Sequence, residues 1–437
     1  MNALNLPEFK VIGTQENDHD ILFIVEAKNP PYCCPECGSI FIYKHGKTER
    51  FVRDLNAFGK RVGINIIGNR YKCQDCSTTF SESYQSIDDR DKITIRLRNY
   101  IQEQSLKKPF ANIADEFGIS PTTVKRIFTE YVKEQEAQMI FTTPRILGID
   151  EVHLNKQMRA VFTDIEGLKV LDILPKRNKE NVIAFLTKLP DKNAIEVVTT
   201  DMWQPYKDAV LMVIPHAKLV VDKFHVIQYA NIAMENARKS FRSTLTDKQR
   251  KQLMHERFIL LKNKEYLTPQ EQWDLQIWFV TFPTLKVAYN LKEGLRDMYL
   301  CKTREQAIEY YRQWKSSIPK DMQPFLDIAK IIDNWSTEIF NYFDYFVTNA
   351  FTESINNLIK HIEKAGRGYS FEVLRAKVLF GTKATIKPKF GEQEFGPMDN
   401  TFSNMLYGSF NYSPPKLIEG FGVSIPQLLE VIERDDF

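Results

Sequence analysis

No stretch of this chain approaches the ~20 consecutive apolar residues that a membrane-spanning helix needs. Its first residues, MNALNLPEFKVIG, lack a basic region followed by an apolar core, which argues against secretion and for a cytoplasmic protein. Cysteine is scarce and confined. Of the 6 cysteines, five lie between Cys33 and Cys76 and Cys301 stands alone. Without a secretory start disulfides are disfavoured, so grouped thiols point to a metal. Net charge is nearly absent, at +3, which excludes a protein that holds polyanions through bulk charge alone. No internal repeat is evident. What remains is an ordinary globular composition, 43% hydrophobic and 26% charged, in a 437-residue chain long enough for several domains.

The charge is unevenly spread. From Cys33 to Lys72 there are eight Lys and Arg against three acids, and from Asn356 to Phe390 eight against two. Excesses of this size can neutralise phosphates, although a solvated surface accounts for either patch taken alone. The first patch separates two Cys-x-x-Cys pairs, Cys34/Cys37 and Cys73/Cys76. Four thiolates suit one structural Zn²⁺ ion, with Cys33 left over. The 35 residues between the knuckles call for strands and a loop, and Tyr71 and Phe80 can pack beneath the metal.

Residues 86–140 read as helices broken at Lys108-Pro109 and again at Gly118. Ser120 is a good N-cap and Pro121 suits the first helical position, so a tight turn joins two helices. That is a helix–turn–helix, and its second helix would present Thr122, Thr123, Lys125 and Arg126 to base edges. The segment carries nine bases and nine acids, so a plain helical hairpin is the bland alternative.

Residues 141–237 alternate strand and helix. Arg145–Ile149, Arg159–Thr163 and Lys169–Leu174 are expected strands with a turn at Glu166-Gly167. A helix capped by Asn178 follows, then strands at Ile195–Thr200 and Lys218–Val221. This is the element order of an RNase H-like α/β core, with Asp150, Asp201 and Asp222 at strand ends. Residues 238–340 look all-helical, with capping boxes at Thr246, Thr268 and Thr303 and four Trp expected in a core of their own. A helix from about Asn349 to Lys364 puts Asn349, Glu353, Asn356, Asn357 and Lys360 on one face, leaving Ala350, Leu358 and Ile362 to pack on the sheet. The fold class is thus multidomain α+β. Residues 1–85 form a zinc-binding module and 86–140 a helix–turn–helix. The RNase H-like core runs over 141–237 and 341–385, interrupted by an all-helical insertion at 238–340 and followed by a tail at 386–437.

Four segments carry a resemblance. Gly148-Ile-Asp150-Glu151, Asp201-Met-Trp203-Gln-Pro-Tyr206, Val221-Asp222-Lys-Phe-His225-Val226 and Thr352-Glu353-Ser-Ile-Asn356-Asn357 occur in that order after the two knuckles. In this the chain resembles bacterial insertion-sequence transposases of the ISL-three type. The resemblance implies that Asp150, Asp201 and Glu353 are catalytic acids holding two Mg²⁺ (or Mn²⁺) ions. It also implies cleavage at terminal inverted repeats and joining of the 3′-hydroxyl ends to target DNA. The implied partners are double-stranded DNA and a second copy of the chain, in a nucleoid-associated setting with no membrane.

Glu151 is expected on the opposite strand face from Asp150. Asp222 and His225 are an accessory pair, able to supply a ligand or a phosphate contact, with a structural hydrogen bond the simpler account. Arg367 and the lysines after it would track the DNA backbone. A metal-dependent nuclease shares this core and differs in making no joined product. A sequence-specific DNA-binding regulator with an inactive core is the non-enzyme alternative.

Overall fold

The computed structural model describes residues 4–240, 246–248, 250, 251 and 257–381, and every statement below concerns these. They form two compact units, residues 4–140 with 359–381 and Phe141–Leu358.

The first unit is built on β1 (Phe9–Glu16), β2 (Asp20–Ala27), β3 (Ile42–Ala57), β4 (Lys60–Cys73), β5 (Thr79–Ser81), β6 (Ile87–Asp88) and β7 (Ile93–Thr94). Their order is β1-β2-β4-β3-β7-β6, with β5 paired to β4. The basic stretch between the knuckles is the β3–β4 hairpin. Phe58 and Gly59 close it with φ +52° and +75°, and two consecutive positive φ values match the right-handed strand twist. Along β4, Val62, Ile64 and Ile66 are buried at period two on the sheet's inner face.

Next come α1 (Ile95–Ser105), α2 (Phe110–Phe117) and α3 (Pro121–Ala137). Gly118 ends α2 in the left-handed conformation at φ +64°, its N–H bonding the Ala114 carbonyl. Ser120 accepts from the Thr123 N–H and Pro121 opens α3, as the sequence predicts. Leu97, Ile101, Ile113, Phe117, Val124, Ile127 and Phe128 close a core of their own. The catalytic-core range expected over 341–385 divides here, because the helix Phe371–Gly381 adds Val373 and Ala376 to that same core. Lys377 anchors it: its ammonium donates to the carbonyls of Ser105 and Lys108 and lies over the rings of Phe110, Phe128 and Tyr369.

The second unit holds β8 (Ile146–Leu154), β9 (Gln157–Asp164), β10 (Lys169–Ile173), β11 (Val197–Thr200) and β12 (Lys218–Val221), in the order β10-β9-β8-β11-β12. The first three are antiparallel neighbours, whereas β8, β11 and β12 run parallel. The crossover helices are α4 (Lys179–Lys188) and α5 (Gln204–Val213), and α6 (Lys223–Ser240) leaves the last strand. Asp150 proves to lie within β8 rather than at its end, because pairing with β9 carries the strand on to Leu154.

Helices Pro269–Thr281, Pro283–Asp297, Arg304–Ser316 and Gln323–Asn334 make up the helical segment. Its core is continuous with that of the sheet rather than separate, since α6 packs against both Pro283–Asp297 and Gln323–Asn334. Trp278, Trp314 and Trp335 are buried there, but Trp273 is 66% exposed. Thr268 forms the expected capping box, and Thr303 caps Gln306. The partner position of Thr246, residue 249, lies outside the described residues. No described helix is long and apolar enough to cross a membrane.

Candidate active site and metal centres

The zinc centre is assembled by two similar turns. Cys34 N–H bonds Ser39 O and Cys73 N–H bonds Thr78 O, with positive φ at Gly38 (+71°) and Ser77 (+60°) just past each second cysteine. The sulfurs of Cys34 and Cys76 are 3.6 Å apart, as are those of Cys37 and Cys73, and all four lie within 4.8 Å of one another. Four thiolates on a tetrahedral Zn²⁺ with ~2.3 Å bonds would stand ~3.8 Å apart, so the set fits that ion. Cys33 stays outside it. Tyr71 stacks on Phe80 at 5.9 Å, in keeping with the expected packing beneath the metal.

The acid centre depends on strand register. Gly148 on β8 pairs with Thr199 on β11, and Thr200 pairs with Val221 on β12. Continued past the end of pairing, that register sets Asp150, Asp201 and Asp222 at one level across three parallel strands. Asp150 and Asp201 approach each other, and the donor atoms of these two and of His225 lie within 4.8 Å of one another. Burial pushes the Asp150 carboxyl up to about 7 against the pull of His225, with Asp201 and Asp222 adding to the rise.

Glu151 is nevertheless close to Asp201. It is still paired with Ala160 inside β8, whereas Asp201 lies beyond the end of β11, where strand alternation no longer fixes its side chain. Burial pushes the Glu151 carboxyl up to about 7, and Asp201, close enough to hydrogen-bond it, adds to the rise. Arg177 forms an ion pair with Glu151 and lies over the Trp203 ring at 4.7 Å. Tyr206 is fully buried, its hydroxyl has no hydrogen-bond partner, and Glu151, Asp201 and Asp150 all act on it. Asp222 is buried, accepting weakly from the Phe224 N–H at 3.5 Å, and burial raises its carboxyl.

The helix Ala350–Gly366 supplies Glu353. Polar residues seat it on the sheet, and of its apolar residues Ile355 and Ile359 are buried whereas Ala350 and Leu358 are exposed. Asn349 accepts from Thr199 and Thr352 at 2.9 and 2.7 Å and donates to the Ile149 carbonyl at 3.1 Å. Asn356 donates to Asp150 at 3.0 Å and to the Glu151 carbonyl at 3.1 Å. Thr352 meets Thr163 at 2.6 Å across β8, at a place only glycine permits: a Cβ on Gly148 would stand 2.4 Å from Thr163 Oγ1 and 2.7 Å from Thr352 Oγ1. Glu353, part exposed, is outside the Asp150–Asp201–His225 group but near enough to His225 to bear on its charge.

Among the nominated DNA contacts, Thr122 and Lys125 are exposed on α3 and Thr123 is drawn into the Ser120 cap. Arg126 is not free. It pairs with buried Asp91 and with Glu130, inside a network that also holds Arg98 and Asp88. Arg367 is exposed at φ +47°, just past the glutamate helix. In the second basic patch Lys377 is buried and Arg375 is paired with Glu136. Arg177, Asn349 and Thr352 were not nominated for the site from sequence. Asn349 is marked only by its helical spacing from Glu353 and Thr352 only by its place in the Glu353 motif, and no local pattern marks Arg177.

A sheet of this order, with carboxylates on its parallel strands and a further acid on an adjoining helix, is the RNase H-like core, a fold that hosts metal-dependent phosphoryl transfer on nucleic acids. The DDE transposase family model of the ISL3 type, described as a transposase, matches residues 147–378. The helix-turn-helix domain of transposase family ISL3 matches 82–132, and the zinc-finger of transposase IS204/IS1001/IS1096/IS1165 matches 30–76. The chain belongs to the ISL3 family of DDE transposases. It is 25% identical over 344 residues to the transposase for insertion sequence element IS1001 of Bordetella parapertussis, covering 77% of this chain and 85% of that one. It is likewise 25% identical over 260 residues to the transposase for IS1557 of Mycobacterium tuberculosis, 52% of this chain and 58% of that one. It is thus an insertion-sequence transposase, with a DNA-binding helix–turn–helix, a structural zinc site and a catalytic domain of a kind that uses divalent metal.

Proposed function

We propose that this chain cuts DNA at the terminal inverted repeats of its element and joins the freed 3′-hydroxyl ends to target DNA. The observation that carries the reading is the convergence of Asp150 and Asp201 from adjoining parallel strands, beside a helix bearing Glu353. A buried and a half-buried carboxylate this close repel one another and favour a cation between them, and an oxygen-rich donor set suits Mg²⁺ or Mn²⁺. Asp150, Asp201 and Glu353 would hold the ions. A pair of such ions supplies activation of the attacking oxygen and stabilisation of the leaving oxygen in an in-line displacement. Asn356 fixes the Asp150 carboxylate, Asn349 and Thr352 fix the helix that carries Glu353, and Arg177 holds Glu151. The nucleophiles are water and then the DNA's own hydroxyl, so no covalent protein intermediate is required.

End recognition falls to the zinc module and to the exposed start of α3, where Thr122, Thr123 and Lys125 face outward or cap the helix. Arg126 acts as a brace for that helix, and Arg367 contacts DNA phosphates. Pairing two element ends calls for a dimer or larger assembly on DNA, working at the bacterial nucleoid. The test uses full-length protein, labelled duplex ending in the element's own repeat, and Mg²⁺ or Mn²⁺, beside Asp150→Ala. Metal-dependent cleavage at the repeat boundary followed by joined products is expected, with neither in the variant. Nicks without joining would mark a nuclease. Binding without cleavage, with paired ends and several ions supplied, would mark a regulator.

A further inference from the structure

His225 sits two residues inside the start of α6, which follows β12 and Asp222 directly. Its backbone N–H bonds the Asp222 carbonyl at 3.2 Å, but its ring is turned elsewhere. Nε2 lies 4.0 Å from Asp150 Oδ1, too far for a hydrogen bond. The Phe224 ring packs against it edge-on at 5.7 Å. Its ring nitrogens make no hydrogen bond among the described residues, and the side chain is 24% exposed, so one face opens to solvent. The hydrogen bond between this pair is the backbone one, from the His225 N–H to the Asp222 carbonyl.

Two donors that share one ion through bonds of ~2.0–2.1 Å stand up to ~4 Å apart. The Asp150–His225 separation reaches that span, and Asp201 closes the group. Glu353 is not part of this group, and buried Asp222 is not either. We propose that one of the two catalytic cations is held by an Asp150–Asp201–His225 set, with an imidazole nitrogen as its third protein ligand and Glu353 left to the other ion. The inference rests on the metal-dependent reading above and deepens it.

The consequence is a metal preference. Mg²⁺ favours oxygen donors, whereas imidazole suits ions further along the Irving–Williams series. The site would therefore hold first-row transition ions, Mn²⁺ the least of them, more tightly relative to Mg²⁺ than an all-oxygen site does, and a carboxylate in place of His225 would narrow that margin.

The test is electron spin-echo spectroscopy of full-length protein titrated with Mn²⁺ alone. Directly coordinated ¹⁴N is expected in the wild type. The coupling should change to that of ¹⁵N when only histidine is labelled, an arm that needs no variant. His225→Gln should lose the coupling and bind Mn²⁺ at least about tenfold more weakly, since losing even an outer partner of a ligand costs ~10–100-fold. Asp222→Asn should keep it. Mn²⁺ bound with no coordinated nitrogen, or coupling that survives in His225→Gln, overturns the assignment while leaving the carboxylate site standing. No Mn²⁺ bound by the wild type overturns both.

Discussion

The four thiols of the first unit come from two turns, each closed within a few residues by its own backbone hydrogen bonds. The acids of the second come from β8, from the end of β11 and from a helix about 150 residues further on; sheet register brings the two aspartates together and the hydrogen-bonded seat of the helix brings Glu353 beside them. The difference teaches what each centre depends on. The knuckles stand clear of the buried clusters of the first unit, so the zinc itself must organise that tip. The acid centre lies on a sheet whose core is closed without any metal. Removing metal should therefore disorder the first and leave the second folded but idle.

The strongest way to break this contrast is to neutralise one member of each set. Asp201→Asn should lower strand transfer by at least about 1,000-fold, since metal stabilisation of the transition state is worth several kcal/mol and each 1.36 kcal/mol is tenfold. Its melting temperature should stay level or rise, because the repulsion between Asp201 and buried Asp150 is relieved. Cys73→Ser should do the reverse, losing the zinc in elemental analysis and weakening repeat-specific DNA binding by about tenfold or more. Mn²⁺ binding at the acids should not change. Wild-type strand transfer by Asp201→Asn would falsify the assignment of the acid centre. Loss of Mn²⁺ binding in Cys73→Ser would show that the two centres are not independent.

Smaller changes probe the seat of the glutamate helix. Gly148→Ala forces a methyl against two hydroxyls and should cost about 1–3 kcal/mol in denaturant unfolding, with strand transfer falling as the helix is pushed away. Asn356→Ala takes a donor from buried Asp150, worth about 1–3 kcal/mol, and should slow strand transfer roughly tenfold with DNA binding intact. Equal rates in wild type and Asn356→Ala would show that Asp150 needs no such fixing.

The seat of this helix also marks where the sequence stops being legible. Period-two patterning and β-branched runs give the strands of the core, and Lys218–Val221 is placed to the residue because both ends change polarity there. The knuckles and the Gly118–Pro121 turn carry their geometry in their spacing. On the glutamate helix the apolar positions read from sequence, Ala350, Leu358 and Ile362, are not the buried ones: Ile355 and Ile359 are, and Asn349, Thr352 and Asn356 make the contact with the sheet through hydrogen bonds to strand carbonyls and hydroxyls. Nor does strand alternation foresee Glu151 beside Asp201, because one partner lies past the last pair of its strand. The docking of Phe371–Gly381 on the helix–turn–helix core is likewise silent in sequence, since its apolar face would fit any neighbour.

The recognition helix offers the smallest effect and a sharp contrast between adjacent residues. Lys125 is exposed, and Arg126 is held by Asp91 and Glu130. A phosphate-contacting lysine releases about one counterion, so Lys125→Ala should flatten the plot of log affinity against log salt by about 0.9, leaving the melting temperature unchanged. Arg126→Ala should leave that slope alone and lower stability by about 1–3 kcal/mol, because buried Asp91 loses a partner. Fluorescence anisotropy across a salt series, set beside thermal unfolding of the same two proteins, separates the residues. Should Arg126→Ala flatten the slope as well, its ion pairs must open on DNA, and the brace would be a contact held in reserve.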